Sequence, residues 1–232
     1  MQIKAILFDK DGTLADFPAT FNPATAHVIE HYAQDSDELR SEIAEVLKFD
    51  LLTGEIDNNS VIVAGSGRDV SKVLQPIIGF EDIEVFSTGL DKLYGEICMT
   101  TVVALPGIAE ALARLKEAAF LLGVATNDSE TNAIGQMQAL GFDQSFSLIL
   151  GADSGFGGKP GPGMINAFIN HVNLRPENIL MVGDSLHDLE AGRAAGVNTC
   201  GVLTGPATAD ELAPHADMLM ESVSQLPEYL IG

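Results

Sequence analysis

The sequence predicts an α/β protein: a parallel sheet with helices on both faces and a helical segment inserted after the first strand. Three observations carry this expectation. The apolar run Ala5-Ile6-Leu7-Phe8 has the length of a strand buried on both faces, and it ends abruptly in Asp9-Lys10-Asp11-Gly12-Thr13-Leu14. From about residue 101 onward, short apolar runs alternate with helical patterns. Residues 15–100 show helical patterns without that alternation.

The elements follow in order. Residues 24–33 and 37–49 are amphipathic, and 70–78 and 81–97 carry helical or mixed patterns, with Pro76 expected to break or bend the former. Pro106-Gly107 precedes a helix over 108–119, where Ile108, Leu112 and Leu115 stand at helical spacing. A strand over 120–125 ends at Thr126-Asn127-Asp128. Next come a helix over 129–140 stopped by Gly141, a strand over 146–150 and a helix over 162–171. A strand over 178–182 ends at Gly183-Asp184, a helix over 186–195 is closed by Gly196, and a strand covers 197–203. The expected domains are 1–14 with 101–232 for the α/β core, and 15–100 for the helical insertion. Insertion is tolerated where chain ends lie close together.

Composition narrows the partners. Twelve basic against 33 acidic residues give a formal net charge of −21. Such a field repels nucleic acid and anionic membranes, so neither is expected. An anionic substrate needs a cation or local basic groups to reverse the field at its site. No apolar run approaches the roughly 18 residues of a membrane span, and nothing resembles a signal peptide. Cys98 and Cys200 lie far apart without metal-like spacing and are expected to be reduced thiols in a cytoplasmic protein.

Parallel α/β sheets place their chemistry at the carboxyl ends of strands. Four such ends offer polar groups here: Asp9 and Asp11, Thr126 and Asn127, Lys159 after the 146–150 strand, and Asp184 with Asp188. Two carboxylates at one strand end repel each other unless a cation sits between them, and Mg²⁺ takes oxygen ligands of this kind. The set suits phosphoryl transfer through an enzyme carboxylate. One Asp attacks phosphorus, a second protonates the leaving oxygen and later deprotonates water, and the metal lets two anions approach. Lys159, Thr126, Asn127 and backbone N–H groups near Gly12 would stabilise the equatorial oxygens. Taken singly, Thr126-Asn127-Asp128 reads as a helix N-cap and Asp188 as an exposed helical acid.

These residues resemble the haloacid dehalogenase-like hydrolase superfamily. Asp9-Lys10-Asp11-Gly12-Thr13-Leu14 is similar to its first motif, Thr126-Asn127 to the second, Lys159-Pro160 to the third and Gly183-Asp184-Ser185-Leu186-His187-Asp188 to the fourth. One short motif is weak, and four in order are strong. The resemblance implies a Rossmann-like core with a C1-type cap at 15–100, in the layout of phosphoglycolate phosphatase-type members. It implies Asp9 as nucleophile and Mg²⁺ ligand, and Asp11 as general acid/base and metal ligand through its backbone carbonyl. Thr126 and Asn127 would hold the phosphoryl group, and Lys159 would neutralise charge. Asp184 would bind the metal, and Asp188 would position it. An acid at position 11 favours phosphate ester hydrolysis over dehalogenation. Lys10 departs from the commoner apolar or aromatic residues there and is expected to affect local electrostatics rather than reaction class.

The expected activity is therefore Mg²⁺-dependent hydrolysis of a small phosphorylated metabolite, phosphoglycolate-like, through an aspartyl-phosphate. The rivals are a phosphomutase of the same fold and a non-catalytic binding protein. Within the insertion, Gly65-Ser66-Gly67-Arg68-Asp69 offers Ser66 and Arg68 for substrate contact. The competing reading is an ordinary helix start with Arg68 in solvent.

Overall fold

Strand β1 (Ala5–Phe8) is buried at every residue, as a strand covered on both faces must be. The computed structural model describes residues 3–232, which divide into two compact units. One runs to Asp16 and resumes at Val103; the other spans Phe17–Val102.

The second unit is helical. Helix α1 (Phe17–Ala33) begins seven residues ahead of the expected start, with Pro18 in its first turn and Pro23 inside it. A proline in the first turn gives up an N–H that has no partner there anyway. Helix α2 (Asp37–Leu47) is capped by Ser36, whose side chain accepts from the Leu39 N–H. A short antiparallel pair, β2 (Phe49–Asp50) and β3 (Glu55–Ile56), and helix α3 (Val61–Ala64) lead to α4 (Gly67–Ile78) and α5 (Ile83–Thr101). Pro76 does not break α4: it lies in the last turn, where one missing hydrogen bond matters little, and Gly79 in the left-handed region ends the helix. Val28, Ile43, Leu47, Leu74, Phe86 and Leu90 form the centre of this unit's core.

The first unit carries the sheet. After β1 come α6 (Ile108–Glu117), β4 (Leu121–Ala125), α7 (Glu130–Ala139) and β5 (Leu148–Leu150). Then follow α8 (Gly163–Val172), β6 (Ile179–Gly183), α9 (Leu186–Ala195), β7 (Asn198–Val202), α10 (Ala209–Leu212), β8 (Met218–Met220) and α11 (Leu226–Ile231). Among the described residues the sheet has six strands in the order β5-β4-β1-β6-β7-β8, all pairs parallel. The expected strands and helices of this half are present. Edge strand β8 was not expected, because three residues are too few to set a period. One face packs Ile6, Phe8, Leu112, Leu115 and Leu180; the other packs Leu7, Ile165, Phe168 and Met181. Both faces are thus covered, and the polar strand ends converge on the carboxyl edge. Among the described residues, no helix is long and apolar enough to cross a membrane.

Candidate active site

The β1–β6 ladder continues one step past Phe8, with the Asp9 N–H donating to the Val182 carbonyl at 2.8 Å. That step brings Asp9, at the end of β1, beside Asp184, just past β6. Lys159 comes from the loop between β5 and α8, and its ammonium lies between two carboxylates. It is 2.5 Å from Asp9 Oδ1 and 2.6 Å from Asp188 Oδ1, with all three side chains buried. The backbone of Lys159 is fixed as well. Asn127 Oδ1 accepts from its N–H at 2.8 Å, and Asn127 Nδ2 donates to its carbonyl at 3.0 Å. Asn127, expected at the phosphoryl group, thus holds the segment that presents Lys159. Thr126 is buried at the end of β4, and its hydroxyl oxygen accepts from the Asp128 N–H at 3.1 Å, which leaves the hydroxyl hydrogen to donate elsewhere.

Helix α9 supplies Asp188 through its own first turn. Asp188 Oδ2 accepts from the Ser185 N–H at 3.1 Å and the Ser185 hydroxyl at 2.6 Å, a capping box that leaves Oδ1 for Lys159. Asp184 Oδ1 accepts from the Thr13 hydroxyl at 2.8 Å. Gly12, at φ +77°, and Gly205 both approach this carboxylate so closely that a Cβ at either position would run into it. Thr204 donates to the Gly12 carbonyl at 2.6 Å and fixes the turn from the β7 side. Thr13, Thr204 and Gly205 were not picked out from the sequence. Thr13 stood inside the quoted motif, whereas Thr204 and Gly205 sit in a loop with no periodicity to mark them.

The electrostatics follow from this crowding. Burial pushes Asp9 up to about 7; Lys159 draws it back, while the charges of Asp188 and Asp11 push it further. Burial also holds Asp184 well above the ordinary carboxylate range, with Asp9 and Asp188 adding repulsion and the Thr13 hydrogen bond opposing them. Burial works against the Lys159 ammonium, but the charges of Asp188 and Asp9 outweigh it and raise its pKa. Asp11 is raised by burial, drawn back by Lys10 and raised again by Asp128.

One ligand oxygen from each of Asp9, Asp184 and Asp188 lies within 4.8 Å of the others. Three buried carboxylates against the one ammonium of Lys159 leave two negative charges. Hard oxygen donors with that excess suit a divalent cation, and the raised Asp9 and Asp184 mark how poorly the charge is tolerated without one.

Ser66 and Arg68 belong to the other unit. Ser66 caps α4 in a capping box with Asp69, and Arg68 Nη2 pairs with Glu84 Oε1 at 2.5 Å with its side chain 57% exposed. These are the features of a helix start facing solvent. The Lys72 ammonium, together with the Ser66 hydrogen bonds, holds Asp69 down at about 2.

Known proteins place this geometry in context. The chain is 28% identical to N-acetylmuramic acid 6-phosphate phosphatase of Pseudomonas aeruginosa, covering 99% of this chain and 96% of that protein. It is 26% identical to phosphoglycolate phosphatase of Salmonella typhimurium, covering 97% and 91%. The crystal structure of a predicted phosphoglycolate phosphatase from Haemophilus somnus superposes with a TM-score of 0.75 at 23% identity, covering 99% of this chain and 98% of that one. The family model of the haloacid dehalogenase-like hydrolases matches residues 6–202, and the chain belongs to that family.

Proposed function

We propose that the protein is a Mg²⁺-dependent phosphatase that hydrolyses a small phosphorylated metabolite, phosphoglycolate-like, through an aspartyl-phosphate on Asp9. The observation that carries this reading is the buried cluster at the carboxyl ends of β1 and β6. Asp9 is bonded to Lys159, Lys159 to Asp188, and Asp184 stands beside them. The names of the two curated relatives, both phosphatases of small phosphorylated molecules, support the reaction class.

Asp9, Asp184 and the backbone carbonyl of Asp11 would hold the metal, with Asp188 behind them. When bound, Mg²⁺ neutralises charge so that two anions can meet. The chain's own groups do the rest. An Asp9 oxygen attacks phosphorus, the bond to the leaving oxygen breaks, and the Asp11 carboxyl gives that oxygen its proton. Water then attacks phosphorus and loses a proton to Asp11, and the Asp9–phosphorus bond breaks to release phosphate. Lys159 offsets charge on Asp9 and the phosphoryl oxygens, Thr126 donates its hydroxyl, and the turn at Gly12 offers backbone N–H groups. We assign substrate choice to the helical unit Phe17–Val102, in the position of the family's cap, and the cytoplasm as its compartment. Cys98 and Cys200, both buried and in no disulfide, support that compartment.

The test is phosphate release from a panel of phosphate monoesters, phosphoglycolate among them, by purified protein with Mg²⁺. Asp9→Asn is expected to abolish turnover. No release from any ester, together with an Asp9→Asn protein indistinguishable from wild type, would overturn the reading. Product analysis separates hydrolysis, which yields free phosphate, from a mutase, which yields an isomeric sugar phosphate.

A further inference from the structure

A second buried charge cluster lies beside the first, and the hydrolytic steps leave it without a task. Lys10 is 0% exposed. Its Nζ stands 2.7 Å from both carboxylate oxygens of Asp11, donates to Gln136 Oε1 at 2.7 Å and lies 3.2 Å from Asp128 Oδ2. The surroundings are built to receive it. Gln136 Nε2 donates to Asp128 Oδ2 at 3.1 Å, and Asn132 Nδ2 donates to Asp128 Oδ1 at 3.2 Å. Asn132 and Gln136 are one turn apart on the inward face of α7, where Ala133 and Met137 are the apolar neighbours. A buried ammonium and two buried amides are costly unless each finds partners. Here they form one connected set that ends on Asp11.

We propose that Lys10, held in place by Gln136 and Asp128, is a positioning residue for Asp11. It grips the carboxyl group symmetrically and fixes the angle from which Asp11 passes its proton to the leaving oxygen. An apolar residue at position 10 would leave Asp11 to its own two side-chain torsions, facing Asp128 with no cation between them. The inference rests on the phosphatase reading of the same site.

The leaving group supplies the test. A p-nitrophenolate departs as an anion and needs no proton, whereas an alkoxide does. In the first half-reaction, which kcat/KM reports, only alkyl esters therefore depend on a well-aimed Asp11; the later water step uses Asp11 whichever ester was cleaved. For Lys10→Met, kcat/KM on an alkyl phosphate such as phosphoglycolate or glycerol phosphate is expected to fall about 100-fold or more, within the usual span of general acid catalysis. For p-nitrophenyl phosphate the same variant should lose less than about fivefold in kcat/KM. Gln136→Leu, which conserves volume and keeps the lysine, should show the same imbalance at smaller size, and it decides the matter if Lys10→Met does not fold. Equal losses in kcat/KM on both esters, or no loss on either, overturn the inference alone. Wild-type protein inert toward every ester of the panel overturns the phosphatase reading and this inference with it.

Discussion

Lys159 and Arg68 are both cations paired with carboxylates, and their surroundings give the pairs different meanings. Lys159 is enclosed by Asp9 and Asp188, with its backbone clamped by Asn127. Arg68 lies at the start of α4 with most of its side chain in solvent, bonded to Glu84, which is 65% exposed. A pair in water is worth little, because the solvent screens it and two long side chains must be ordered to make it. A buried pair cannot be broken cheaply, since the partner left behind is an uncompensated charge in a poor dielectric. Burial therefore separates a cation that organises a carboxylate cluster from one paired in solvent at a helix start.

Three measurements can break or sharpen that contrast. The largest effect is expected from Lys159→Met. It strands Asp9 and Asp188 without their ammonium, and should cost about 3–5 kcal/mol in denaturant unfolding and remove most of the turnover. A loss below 1 kcal/mol would mean that the pair is solvated in practice, and the contrast with Arg68 would dissolve.

An intermediate effect concerns metal and pH. Asp9, at about 7 against an ordinary 3.8, and Asp184, also raised, keep protons in the folded metal-free protein that the unfolded chain has already lost. Between about pH 4 and pH 7 the unfolded state therefore binds fewer protons, and these groups make metal-free stability fall as pH rises. Divalent metal binds the deprotonated carboxylates, so its stabilisation should grow over the same interval. The melting temperature measured with chelator and with Mg²⁺ should diverge from pH 5 to pH 8. A gap independent of pH would show that these carboxylates are not the ligands.

The smallest effect is expected from Arg68→Ala, which should leave both kcat and KM within about threefold, in keeping with the low worth of an exposed pair. A tenfold rise in KM with kcat unchanged would instead place Arg68 at the substrate and restore the interest that its neighbouring glycines raise in the sequence.

What the sequence made legible has a physical pattern. Asp9, Asp11, Asp184 and Asp188 could be found because strand ends and helix starts fix where such residues point, and local spacing carries that information. The alternation of strand and helix from residue 101 onward was readable for the same reason. The partners of Lys10 were not, because Gln136 lies 126 positions away and α7 looks like an ordinary helix until its buried amides are placed. The motif at Asn127 marks it as a phosphate ligand, yet its amide also clamps the Lys159 backbone, a link between loops that no period records. The start of α1 was hidden by Pro18 and Pro23, which read as breakers although the core of that unit holds the helix over both. Tertiary packing overrides local preference in each case.

Strand β1 has a consequence for how the chain is made. It is central in the sheet, yet Ala5 pairs with Leu121 on one side and Ile179 on the other. On a ribosome adding about 5–20 residues per second, the second neighbour follows the first strand by roughly 10–30 s. Through that interval an apolar strand ending in Asp9 has an unpaired edge, while the contiguous segment Phe17–Val102 has all its own core residues in hand. The strand made first waits longest to be enclosed. The acidic excess of the sequence already runs through the waiting segment, and its repulsion keeps nascent copies apart until β6 arrives.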